Sequence, residues 1–109
     1  MNWIPLENEE QLSALKEKSH NTPQVIFKHS TRCSISSMAK NRLDKSTPAQ
    51  NAEFYYLDLI RYRNISNAIA SDFSVYHESP QVLVIKNGKC IYDESHSGID
   101  MLSIGMQLS

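Results

Sequence analysis

A chain of 109 residues, 40% apolar and 21% charged, is sized for one domain with a single core. Its formal charge of −1 gives no electrostatic reason to expect nucleic acid or an anionic membrane as a partner. Two cysteines, Cys33 and Cys90, are too few for a disulfide scaffold, and the scattered histidines offer no metal-ligand spacing. No apolar run approaches the ~18 residues of a membrane span, and the opening MNWIPLENEE lacks the regions of a signal peptide. One domain over residues 1–109 is therefore expected in the cytoplasm, with no metal site and both thiols reduced at rest.

In chain order, residues 8–19 read as a helix. Asn8 can cap it, Gln11 stands at the reciprocal capping position, and Glu9 and Glu10 favour its positive end. Leu12 and Leu15 form a narrow apolar stripe, suited to covering one side of a sheet. Gln24–His29, QVIFKH, is a strand with apolar residues on both faces, which implies an interior position. Residues 34–45, SISSMAKNRLDK, place Ile35, Met38, Ala39 and Leu43 at helical spacing. A loop containing Pro48 leads to a second strand, 53–59. Ile65, Ala68, Ile69 and Phe73 line a third helix with Asn64 as its cap. After Pro80, the Asn87-Gly88 pair predicts a hairpin joining strands 82–86 and 89–94. Ser97-Gly98 is expected to open a short C-terminal helix, with Ser97 as cap and Asp100 three residues on.

This order contains a β-α-β unit followed by a β-hairpin and a helix. A thioredoxin-like fold requires that pattern: an α/β domain with a four-stranded mixed sheet and helices on both faces. Cys33 then falls where the first strand of the β-α-β unit hands over to a helix. Unpaired N–H groups and the helix dipole favour an anion there, and Arg32 and Lys28 add positive charge. Such a setting favours thiolate, the species that attacks a disulfide, over thiol. An inert thiol at a helix start is the plain alternative. Ser36 stands where a dithiol protein holds its resolving cysteine. A hydroxyl cannot complete disulfide exchange, but it can donate a hydrogen bond to the thiolate, and any cycle must then be resolved by an external thiol. In the thioredoxin architecture the proline corresponding to Pro80 is cis and faces the cysteine, leaving the Ser79 backbone to pair with a bound thiol compound. Gly98 at a helix entry would make a carboxylate site. Cys90 reads as a structural strand residue, and His29 and His77 as incidental polar positions.

FKHSTRCSIS, SPQVLVIKNGK and HSGI, in this order and spacing, resemble the YtxJ-like family, the monothiol bacilliredoxins of thioredoxin fold. The likeness runs from WIPL at Trp3 to the last helix. It implies a cytoplasmic thiol–disulfide oxidoreductase of bacteria that use bacillithiol instead of glutathione. On that resemblance Cys33 attacks the bacillithiol sulfur of S-bacillithiolated client proteins and carries bacillithiol itself. A second thiol or a bacillithiol disulfide reductase system then clears it. Bacillithiol is thus a co-substrate, and no permanently bound cofactor is expected. Carried over, Cys33 is the nucleophile, Ser36 marks the monothiol state, and Pro80 behind Ser79 is the cis-proline. Ser34 departs from the family pattern, in which proline follows the cysteine. The change bears on the rigidity of the helix start beside the bound thiol and leaves the nucleophile in place. Lys28, Arg32 and the Gly98 turn are candidates to hold the two carboxylates of bacillithiol's malate portion. Two other classes stay open: a glutaredoxin-like [2Fe–2S] module, whose motif Gly and Phe are here Ser34 and Ile35, and a redox-inert adaptor binding proteins through the Pro80 face.

Overall fold

The computed structural model describes residues 1–108. Its elements are Ile4–Pro5 (β1), Glu9–Lys18 (α1), Gln24–His29 (β2), Ser34–Lys45 (α2), Glu53–Asp58 (β3), Arg63–Asp72 (α3), Gln81–Lys86 (β4), Lys89–Ser95 (β5) and Met101–Met106 (α4), with one 3-10 turn at His96–Gly98. The strands form a single sheet in the order β1-β3-β2-β4-β5. β1, β3 and β2 are parallel, β4 is antiparallel to β2, and β5 to β4. The thioredoxin-type α/β fold is present with five strands in place of the expected four. The additional one, β1, is two residues that pair Ile4 with Tyr55 and Pro5 with Tyr56, too short to show an alternating pattern.

All six residues of β2 are buried, as its two-sided apolar character implies. Alternation along the strand sends Ile26 towards Leu12 and Leu15 of α1 and Ile65 and Ile69 of α3. Val25 and Phe27 go to the other face, against Ala39 and Leu43 of α2 and Ile104 of α4. Burying each such side chain fully is worth ~1.5–3 kcal/mol, so the two half-cores hold the helices to the sheet. The same alternation assigns Lys28 to the α1/α3 face and His29 to the α2/α4 face. Trp3 straps the second layer: its indole N–H donates to Asp44 at 2.7 Å while its ring stacks on Phe27.

The helix starts follow local chemistry. Asn8 Oδ1 accepts the Gln11 N–H at 2.9 Å, as expected, but the Gln11 side chain reaches back to the Glu7 N–H instead of that of Asn8. α3 begins at Arg63 with Tyr62 in the N-cap position, not Asn64, because Asp58 Oδ1 takes the N–H groups of Ile60 and Arg61 and turns the chain early. Asn87 and Gly88 both have positive φ, the requirement of a type I′ hairpin turn. The C-terminal helix is capped by Asp100, whose Oδ1 accepts from Ser103 N at 2.8 Å. Ser97 lies inside the 3-10 turn, since the fully buried Ile99 pins the chain between the two segments. No helix among the described residues is long and apolar enough to cross a membrane.

Candidate active site around Cys33

The C-terminal end of β2 meets the start of β4: Lys28 pairs with Gln81, and the register continued by one residue sets His29 against Pro80. The Ser79-Pro80 peptide bond is cis, as the thioredoxin pattern led one to expect. Four residues past His29 the chain enters α2, with Cys33 in the N-cap position in an extended conformation. Its N–H donates to Ser30 O and its carbonyl accepts from Ser37 N, while its side chain makes no capping hydrogen bond. The thiol is half-buried, and no acidic residue stands in the first turn of α2. A helix start of this kind leaves N–H donors for an anion. Arg32, Ser34 and Ile35 are exposed around it, and Met38 continues the apolar rim one turn on.

Ser36 does not turn its hydroxyl to the thiol. It is completely buried, accepts the Ser30 N–H at 3.0 Å, and lies 2.6 Å from His29 Nδ1. Ser36 Oγ and His29 Nδ1 are thus hydrogen-bonded to each other, and the Ser30 N–H completes the hold on the hydroxyl oxygen. Burial, and then Lys40, hold His29 below the ordinary histidine range against the opposing effects of Asp58, the Ser36 backbone and Asp44, which favours the neutral ring. Phe27 stacks on it, and Tyr56 packs beside it. His29, which has no role in the sequence reading, is the anchor that ties α2 and the 30–33 loop to β2.

Two residues expected to hold a ligand carboxylate are engaged within the protein. Lys28 is completely buried on the opposite face of the sheet, with Nζ 2.7 Å from His77 Nδ1 and 3.1 Å from Gln81 Oε1. Desolvation pulls its pKa down to about 8, with Glu78 opposing. An ammonium committed there does not reach a carboxylate beside Cys33. Gly98 sits inside the 3-10 turn rather than at a helix entry, and Glu94 lies against it: a Cβ on residue 98 would stand 2.5 Å from Glu94 Cδ. The protein's own carboxyl fills the place, with Glu94 Oε1 accepting the Ser95 N–H at 2.9 Å. Arg32 makes no ion pair among the described residues.

Across from Cys33's loop, Pro80 is buried and its carbonyl accepts the His96 N–H at 3.1 Å. His96 has a positive φ of 56° and reaches Glu78 Oε2 at 3.6 Å. Sequence reasoning missed His96, Glu78 and His77 as a group. The one available signal was a lysine inside a strand read as buried on both sides. Cys90 is half-buried on β5, where its thiol donates to Tyr92 O at 3.3 Å and burial pushes its pKa up.

A family model described as monothiol bacilliredoxin BrxC matches residues 4–104. Among solved structures, one described as having a thioredoxin fold superposes with a TM-score of 0.83 at 30% identity, over 94% of this chain and 90% of that one. Thioredoxin from Malassezia sympodialis (Mala s 13) superposes with a TM-score of 0.76 at 18% identity, covering 98% of this chain and 88% of its own. Thioredoxin from Trypanosoma brucei brucei gives 0.77 at 13%, covering 97% and 88%. These two likenesses speak for the fold alone. With the family model spanning nearly the whole chain and the fold agreeing, this chain belongs to the monothiol bacilliredoxin family and is a thiol oxidoreductase of thioredoxin fold.

Proposed function

We propose that the protein removes bacillithiol from S-bacillithiolated proteins. The observation that carries the reading is Cys33 at the start of α2 with its side chain uncommitted, while residue 36 is a serine locked onto His29. A thiol so placed can attack, and no second thiol of the motif can resolve it. Cys33 thiolate attacks the bacillithiol sulfur of the client mixed disulfide; the client sulfur leaves as a thiolate and takes a proton from solvent. Cys33 is then joined to bacillithiol. A second bacillithiol thiolate attacks that bacillithiol sulfur, giving bacillithiol disulfide and free Cys33 thiolate, and a bacillithiol disulfide reductase system regenerates the thiol.

The Ser79 backbone before Pro80 would pair with the bound thiol compound, and Ser34 would border it. Arg32 would meet a malate carboxylate by a charge-assisted hydrogen bond. Ser36 acts as a positioning residue for the 30–33 loop; Lys28 and Gly98 take no part in holding the carboxylates. A cytoplasmic setting, where both thiols stay reduced at rest, suits the cycle. Exposure to bacillithiol disulfide followed by mass spectrometry tests it. One bacillithiol on Cys33, released again by free bacillithiol, is expected; an unmodified Cys33 would overturn the reading.

A further inference from the structure

Lys28 is completely buried, yet no carboxylate among the described residues touches its ammonium. An apolar side chain of similar length would fill the same space without the cost of desolvating a charge, so what the head group holds is informative. Its acceptors are His77 Nδ1 at 2.7 Å and Gln81 Oε1 at 3.1 Å. Gln81 passes the hold on, because its Nε2 donates to Tyr76 O at 3.0 Å. Ser66 Oγ of α3 lies 3.3 Å from the same His77 nitrogen. The other side of segment 76–80 is held by His96, through Glu78 and the Pro80 carbonyl. Lys28 therefore reaches this segment both directly, at His77, and through Gln81, at Tyr76.

The electrostatics agree with the geometry. An ammonium only donates, so His77 Nδ1 accepts and its proton sits on Nε2. Burial, Lys28 and Arg63 hold His77 below the ordinary histidine range, with Glu78 opposing, which keeps the ring neutral and the acceptor available.

We propose that Lys28 is a positioning residue: it sets segment 76–80, and with it the Ser79 and Pro80 backbone, in the conformation that receives the incoming disulfide beside Cys33. The nature of that disulfide rests on the debacillithiolation reading above.

Two variants test it. Lys28→Met removes the donor and keeps the buried length. His77→Gln alters the acceptor at an exposed position, so it reports even if the first variant fails to fold. Steady-state removal of bacillithiol from a bacillithiolated client is measured beside iodoacetamide alkylation of Cys33, which needs no docking. Each single variant is expected to raise KM about tenfold with kcat and alkylation rate within about twofold, and the double variant to add nothing to the larger single effect. An unchanged KM in a folded variant, or KM effects that multiply, would overturn the proposal. No turnover by the wild-type chain would instead defeat the substrate reading. Amide hydrogen exchange then decides: faster exchange at residues 76–78 in Lys28→Met with β5 unchanged supports the positioning role, and unaltered exchange overturns it.

Discussion

Two neighbouring residues of β2, Lys28 and His29, are both buried, and they point to opposite faces of the sheet. His29 faces α2 and is hydrogen-bonded to the Ser36 hydroxyl, which takes the Ser30 N–H. Lys28 faces α3 and holds His77 and Gln81. A buried polar group costs ~1–3 kcal/mol unless it is hydrogen-bonded, and each of these is. What differs is the remainder. The α3 face commits its donors internally, whereas the α2 face ends in a thiol whose side chain makes no capping bond. One strand end thus braces two loops, 30–33 and 76–80, and the uncommitted thiol that the proposed function uses ends the first of them.

The contrast breaks first at the thiols. Cys33→Ala is expected to bring removal of bacillithiol from a client to background, because the attacking sulfur is gone. Cys90, half-buried and hydrogen-bonded on β5, is a structural thiol in this account, so Cys90→Ala should retain activity within about twofold. Mass spectrometry of the client over time separates the two. Full activity in Cys33→Ala would move the chemistry elsewhere.

The next largest effect belongs to Lys28. Its ordinary value of 10.5 falls to about 8 in the folded chain, so between these the unfolded state binds more protons and stability rises with pH. Over the whole window the gain is about 3 kcal/mol. Tyr55, pushed up to about 12 by burial and then by Glu53, works the other way above pH 10. It is present in Lys28→Met too and cancels in the difference. Urea unfolding of both proteins from about pH 7 to about pH 11 should show wild type gaining on the variant by this amount. A flat difference would mean that the ammonium is not desolvated.

Ser36 sharpens the other face. Ser36→Ala leaves the Ser30 N–H and His29 Nδ1 without a partner in a buried place, at an expected cost of about 2 kcal/mol. The hydroxyl does not touch the thiol, so the loss should appear in urea unfolding well before it appears in kcat. A collapse of kcat at unchanged stability would restore the direct role that the sequence reading gave it.

The fold was legible because its signals are local. β2 announced itself by apolar residues on both faces, the hairpin by Asn87-Gly88, and α2 by Ile35, Met38, Ala39 and Leu43 at helical spacing; the structure keeps all three elements but buries only Ala39 and Leu43 of that stripe, leaving Ile35 and Met38 exposed. The junction holding Cys33 followed from the order of those elements. The braces were not legible, because each joins residues distant in sequence: Lys28 to His77, and Glu78 to His96. Side-chain direction was equally hidden. Lys28 counts as a nearby charge in the sequence, yet one residue of strand alternation sends it to the other side of the sheet.

Gly98 is the smallest test and the one that discriminates most narrowly. The sequence offered it as a cradle for a ligand carboxylate; the structure presses Glu94 into that space. Its φ lies outside the left-handed region, so alanine is tolerated by the backbone and must only displace the Glu94 side chain. That side chain is flexible and can swing to solvent, giving up its bond to the Ser95 N–H at a cost of about 1 kcal/mol. Gly98→Ala should therefore lower stability slightly and leave KM for a bacillithiolated client within about twofold, since no ligand group is displaced. A tenfold rise in KM would mean that Glu94 yields to the ligand during turnover. In that case the carboxylate site would exist only when the ligand is there to fill it.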